Sequence, residues 1–395
     1  MAKQVSRALE IPLPRFPRRL ETMNYLVEYE KEDGHDSMLL ELARLNFDLA
    51  RSLHLKELKT LSMWWRELYD NVKLTYSRDR LVESYLWTCI VFHEEEYSRA
   101  RIIFAKVFGL QALMDDTYDV HASLEECRKL NEAIQRLDQW LVISYYGNNH
   151  YVDEPAHMHS HTYKLICKWD SSAVSIVPKY LHMFYIKLLS NFDELEDSLE
   201  PHEKYRISYI RNAFKLTSQY YLHEAQWCND KYVPGFEEHM EVSIMSCGCA
   251  LLPPMLLMGV HDGEGVATRE VFEWVATCPD VMKAGAEVAR FLNDIASYTA
   301  GKKKKDACSA VECYMAEHGV DGDAAVAAVA ALAERAWRTM NQLCVEMDPA
   351  LLMVKFTRTL EVIYLGGRES YTFGGDLNGL IAGLFLDAGP LNINV

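Results

Sequence analysis

Apolar residues recur at three- and four-residue spacing along most of this chain. The run MLLELARLNFDLARSLHLKELKTLSMWWREL, over 38–68, sets Leu, Phe and Trp on one side of a helix and Glu, Arg and Lys on the other. The same period returns over 79–89, 98–114, 124–134, 178–195, 207–227, 281–297, 324–347 and 349–364. Alternation with a period of two, which marks a half-buried strand, is almost absent. The pattern predicts an all-α chain whose many helices pack into one large domain over 35–395.

Three stretches depart from the pattern. Residues 1–34 open with Lys3, Arg7, Arg15, Arg18 and Arg19 against the single acid Glu10, the charge balance of a transit peptide. The prolines of IPLPRFP break the amphipathic helix such a peptide uses, so an extended arm or linker is expected here, with targeting as the alternative. Residues 137–168 carry aromatic and β-branched clusters and a GNN turn signal, which suit a hairpin or a surface insertion. His157, His159 and His161 alternate there, and without fixed partners such a loop rarely makes a selective metal site. The uncharged run 242–260 is as long as a membrane span, but Pro253, Pro254 and the small residues SCGC at 246–249 predict a bent, buried helix instead.

Composition narrows the function. With 49% hydrophobic and 25% charged residues the chain has the balance of a globular protein. A formal charge of -16 disfavours nucleic acid and anionic membranes, so a phosphate-bearing ligand needs a concentrated basic site. The 10 cysteines lack zinc-ribbon spacing and read as reduced thiols, as in the cytoplasm.

The strongest local signal is LMDDTYDV. The apolar run IIFAKVFGLQALM ends in Asp115, Asp116 and Asp119, with Asp115 and Asp119 one turn apart. Like charges crowded at the negative end of a helix dipole cost stability unless cations neutralise them. An oxygen-only set suits Mg²⁺, or Mn²⁺, with waters and substrate phosphates completing the shell. A solvated acidic helix end is the plain alternative. In RFLNDIASYTAGKKKKD, Asn293 and Ser297 share a helix face one turn after Arg290 and offer neutral oxygens. In SRDRL, Arg78 and Arg80 form a pair suited to gripping phosphate oxygens.

RDR, DDxxD and NDxxS, in that order along a helical chain, resemble the C-terminal α-domain of plant class I terpene synthases. The segments RDRLVESYLW, EEEYSRARIIFAKVFGLQALMDDTYDV, LNEAIQR, WDSSAV, SAVECYMAEHGV and SYTFGGDL extend the likeness from about Ala8 to the C-terminus, leaving out 137–168. The wording is most similar to the sesquiterpene synthases of grasses, which are cytosolic. The resemblance implies a class I terpenoid synthase helical bundle with a central active-site cavity. It implies a monomer that binds farnesyl diphosphate through three Mg²⁺ ions and ionises it to an allylic carbocation.

Carried over residue by residue, the resemblance makes Asp115, Asp119, Asn293 and Ser297 metal ligands. Asp116 becomes a support that does not touch the metal, and Arg78, Arg80 and Arg290 face the diphosphate. Trp87 becomes a pocket tryptophan, Tyr364 and Tyr371 lie near the pocket lid, and Glu369 is a candidate for proton transfer. SCGC matches a helix break, with Gly248 allowing it.

The chain also departs from that family. Gly301 stands where the second metal motif ordinarily ends in Glu, and glycine suggests that the helix ends early. Lys302 to Lys305 then form either a solvated basic loop or an aid to diphosphate binding. The N-terminal helical domain of plant relatives is expected to be missing, and Glu28 stands where the paired-arginine signature that Arg18 and Arg19 suggest would have Trp. Removing 137–168 would restore an unbroken family-like passage, as expected of a translated intron. A catalytically inactive remnant that binds diphosphate without turnover is therefore the alternative function. A chain-elongating prenyltransferase would want a second aspartate-rich motif, and protonation-initiated cyclisation would want DxDD.

Overall fold

A computed structural model describes residues 2–136, 169–261, 265–301, 307–344, 350–364, 370–371 and 377–386. No strand occurs among them, and the helices follow the three- and four-residue periods of the sequence. They are α1 Ala2–Glu10, α2 Arg18–Tyr29, α3 Ser37–Val72, α4 Leu81–Val91, α5 Ser98–Asp116, α6 Leu124–Gln135, α7 His182–Asp197 and α8 Arg206–Asp230. There follow α9 Phe236–Ser246, α10 Leu252–Leu257, α11 Arg269–Ala276, α12 Asp280–Thr299, α13 Ala310–His318, α14 Gly322–Cys344, α15 Ala350–Ile363 and α16 Asn378–Phe385.

Helix α5 runs through the middle of the bundle, packed on α3, α4, α8 and α10. Its sequence is apolar on nearly every side, and Phe104, Val107, Leu110, Leu113 and Met114 are each 3% exposed or less. Burying such side chains stabilises by about 1.5–3 kcal/mol each. The helix does not stop at the aspartates. It passes into a π turn, Thr117–His121, in which the Ala122 amide donates to the Thr117 carbonyl at 2.9 Å. Ser123 then starts α6 with a reciprocal cap to Glu126.

The run 242–260 is bent, as the prolines and SCGC predict. Helix α9 stops at Ser246, Gly248 takes a left-handed φ of 102°, and α10 restarts with Pro253 and Pro254 in its first turn, where no intrahelical donor is required. A Cβ on Gly248 would meet Leu252 Cγ at 2.7 Å.

The N-terminus differs from the extended arm expected of it. The prolines are confined to the turn between α1 and α2, and both flanking segments are helical. Helix α2 forms because Leu20 and Met23, with Phe16 just before it, have core to pack against. The arginines that resembled a targeting charge are structural: Arg7 pairs with Glu21 and Glu28. Arg19 lies 3.5 Å from the centre of the Phe47 ring and donates to the Phe47 carbonyl at 2.9 Å. Residues 137–168, with the three alternating histidines, lie outside the described residues.

Candidate active site

The segment before α4 is fastened to the end of α5 through Asp116. One oxygen, Oδ2, accepts from the Ser77 hydroxyl at 2.7 Å and from the Arg78 amide at 3.2 Å. The other, Oδ1, accepts from Arg80 Nη2 at 2.9 Å. Asp116 is 1% exposed, so its charge is spent inside the protein, whereas Asp115 is half-buried and Asp119 exposed. Among the described residues no three His, Cys, Asp or Glu side chains converge to hold a metal ion by themselves. With Asp116 turned inward, that is the physical expectation.

An aromatic wall adjoins this clamp. The Arg80 guanidinium sits 5.3 Å from the centre of the Tyr371 ring, and the Tyr371 hydroxyl is 3.0 Å from Ser84 Oγ. Burial pushes the Tyr371 phenol up to about 12, against the pull of Arg80, so it stays neutral. Trp87 meets Tyr371 edge to face at 5.9 Å, stacks on Phe356 at 4.7 Å and abuts Phe108 at 5.5 Å. The Trp87 indole N–H donates to the Phe356 carbonyl at 3.3 Å, which fixes the ring.

Across the bundle, α12 carries the second motif. Asn293 Nδ2 donates to the Tyr364 hydroxyl at 2.9 Å, which leaves the amide oxygen as the end that can face a cation. Arg290 reaches Asp294 at 3.5 Å. Burial works against the Arg290 charge, but the carboxylates of Asp294 and Glu224 outweigh it and raise its pKa. The other Asp294 oxygen, Oδ2, meets His239 at 3.3 Å and the Ala310 amide at 2.7 Å. The helix ends at Thr299, and Gly301 lies beyond it with a φ of 72°. The early end suggested by glycine is therefore present.

Sequence reasoning missed α8. Tyr221 and Glu224 lie between the two motifs: Gln111 Nε2 donates to the Tyr221 hydroxyl at 3.2 Å, and Ser246 Oγ donates to Glu224 at 2.7 Å. Burial raises the pKa of Tyr221, and the charges of Asp115 and Asp119 add to the shift. Burial likewise raises Glu224, opposed by Arg290. The only available signal was their spacing on one face of a helix, which any core residue shares. Glu369 and Lys302 to Lys305 lie outside the described residues. A groove of about 500 Å³ beside Arg99, Lys106, Asn191 and His261 is lined by none of the expected site residues.

The donor set is oxygen-only: two carboxylates at one helix end, an amide and a hydroxyl on another helix, with arginines beside both. It fits hard divalent cations that keep waters and take their remaining ligands from phosphate. The all-helical bundle is a class I terpenoid synthase fold. The chain belongs to the terpene synthase family, since residues 66–339 match the family model described as "Terpene synthase family, metal binding domain". A eudesmanediol synthase of Zea mays is 53% identical over 391 residues, covering 98% of this chain and 64% of that protein. A tau-cadinol synthase of Zea mays is 39% identical, covering 99% of this chain and 66% of that protein. Isoprene synthase from grey poplar leaves, solved with three Mg²⁺ ions and dimethylallyl-S-thiolodiphosphate, superimposes with a TM-score of 0.78 at 26% identity. That match covers 92% of this chain and 64% of the poplar chain. The chain thus spans a little under two thirds of the length of such relatives.

Proposed function

We propose that the chain is an Mg²⁺-dependent sesquiterpene synthase that ionises farnesyl diphosphate and directs the resulting cation to ring closure. The observation that supports the reading is the clamp through Asp116, which fastens the Ser77 hydroxyl, the Arg78 amide and the Arg80 guanidinium to the end of α5. Asp115 and Asp119 would hold cations on one side, and Asn293 and Ser297 on the other, with Mn²⁺ as a substitute. Bound divalent cations supply neutralisation of the diphosphate charge as it departs. Three ions are proposed, as in the poplar relative.

Arg78, Arg80 and Arg290 orient the diphosphate by donating to its oxygens. When the bond between C1 and oxygen breaks, the electron pair leaves with the diphosphate and an allylic cation remains. Trp87, Phe108, Phe356 and Tyr371 face that cation with rings that attract it by about 0.5–2 kcal/mol and offer no basic lone pair. Glu369 is the proposed proton acceptor at the end of the reaction. Cys89, Cys127, Cys247, Cys249, Cys278 and Cys344 are free thiols, which supports the proposed cytoplasmic setting.

The test is incubation of purified protein with farnesyl diphosphate and Mg²⁺, followed by gas chromatography. Hydrocarbon or alcohol products absent from an Asp115→Ala control support the proposal, and their absence from both refutes it. A second reading, a diphosphate-binding remnant without turnover, is favoured by Gly301, which lies past the end of α12 and offers no side-chain oxygen. Calorimetric binding of inorganic diphosphate with Mg²⁺, without product formation, would select it.

A further inference from the structure

The turn that carries Asp119 is held from outside. A π turn is a rare backbone form and needs support from its surroundings to persist. Within Thr117–His121 the closing bond is the one from the Ala122 amide to the Thr117 carbonyl, while Asp119, Val120 and His121 are exposed. Tyr118 anchors the middle of the turn in the core, its hydroxyl 2.9 Å from Ser218 Oγ, and the support at both ends comes from Tyr76, two residues before Arg78. Its ring stacks on His121 with centroids 4.1 Å apart and planes 4° from parallel. Tyr180 closes the arrangement edge-on, at 5.2 Å from His121 and 6.4 Å from Tyr76.

The Tyr76 hydroxyl is 2.9 Å from Thr117 Oγ1. The single Thr117 hydroxyl proton is given to the Leu113 carbonyl at 2.7 Å, so Tyr76 is the donor of this bond. Burial pushes the Tyr76 phenol up to about 12, which keeps that proton in place across the working pH range. Tyr76 therefore grips the turn at its first residue by a hydrogen bond and at its last by a ring stack. Ser77, Arg78 and Arg80 grip the adjacent Asp116.

We propose that Tyr76 is a positioning residue that, with His121, locks the π turn presenting Asp119, so that the phosphate-gripping segment and the cation-holding turn act as one rigid piece. The proposal rests on the function proposed above only in assigning Asp119 to a cation; the locking of the turn stands on the contacts alone.

The two parts are separable by experiment on the full chain. Hydrogen exchange at the amides of 117–122, measured without metal, reads the lock. Mn²⁺ binding in the presence of inorganic diphosphate, measured by electron paramagnetic resonance, reads its consequence. Tyr76→Ala is expected to speed exchange in 117–122 by about tenfold or more, with exchange in α14 unchanged. Mn²⁺ binding is expected to weaken by about 10–100-fold. Tyr76→Phe, which keeps the stack and loses one hydrogen bond, should fall between. His121→Ala removes the same stack from the exposed side without opening the core, and so serves if Tyr76→Ala fails to fold. Unchanged exchange at 117–122, or a rise spread evenly over the whole chain, overturns the proposal. Faster local exchange with no Mn²⁺ binding even by the unsubstituted protein supports the lock and refutes the cation reading.

Discussion

Arg80 Nη2 and Asp116 Oδ1 lie 2.9 Å apart, with Arg80 7% and Asp116 1% exposed, so a buried ion pair joins two of the sequence motifs. Removing one partner of such a pair leaves a buried charge uncompensated. Asp116→Ala is expected to lower unfolding free energy by about 3–5 kcal/mol in urea denaturation. Asp116→Asn keeps the shape but not the charge. If the pair positions Arg80 for the diphosphate, Asp116→Asn should reduce kcat/KM by about 10²–10³-fold, the scale of losing one stabilising donor at the reacting centre. Kinetics matching the unsubstituted protein would show that the clamp is architectural only.

Gly301→Glu puts back the acid that the family pattern has at this place, yet it is not expected to rebuild the ligand set. Among the described residues no atom lies within 4 Å of a Cβ placed there, but its φ of 72° is one that a residue with a Cβ occupies at a cost of about 1–2 kcal/mol. The helix has already ended, so a glutamate there does not extend the face shared by Asn293 and Ser297. The expected result is a lowered melting temperature and an unchanged Mg²⁺ concentration for half-maximal activity. A tenfold drop in that concentration would show that α12 winds on to reach residue 301.

The longer helices were legible, and the two candidate motifs could be picked out, because their signals are local. Apolar period and the charge run DDTYD both act within a few turns. The π turn was not legible, because its support comes from Tyr76 and Tyr180, which lie far from it in the chain. The N-terminal helices were misread for a related reason. Proline and charge suggested an open arm, and only the packing of Phe16, Leu20 and Met23 on the core overrides that. Glu224 and Tyr221 gave no signal, since residues on one face of a long helix acquire a role only when the opposing helices are in place.

Gly248→Ala tests the bend between α9 and α10. The left-handed backbone costs about 1–2 kcal/mol with a Cβ present. The contact at 2.7 Å with Leu252 adds overpacking, itself about 1–3 kcal/mol. Destabilisation of that combined size is expected in urea denaturation. Leu252→Ala in the same chain should recover only the overpacking part, so a full recovery would contradict the strain assigned to the backbone.

The acid limb of stability should fall in two stages. His54 is 2% exposed, beside Arg101, and its Nε2 has no hydrogen-bond partner among the described residues. Burial first, and Arg101 second, lower its pKa from 6.5 to about 4. A depressed folded value means that the stability it confers is present above the unfolded value and is lost as pH falls through the folded one. His54 therefore removes stability between about pH 6.5 and 4, by roughly 2–3 kcal/mol at 1.36 kcal/mol per unit. Glu57 and Asp294 act later. Burial pushes both carboxyls up, but Arg101, Ser98 and Tyr85 around Glu57, and Arg290, His239 and the Ala310 amide around Asp294, together outweigh it and leave both below the usual range. Their contribution is complete above about pH 4.5 and is lost at more acid pH as each is protonated. Urea denaturation at pH 7, 5.5, 4.5 and 3.5 separates the stages. His54→Gln should flatten the curve between pH 7 and 4.5 while leaving the steeper fall below pH 4.5. Equal slopes for both proteins over the upper interval would mean that His54 takes up its proton without cost in the folded state.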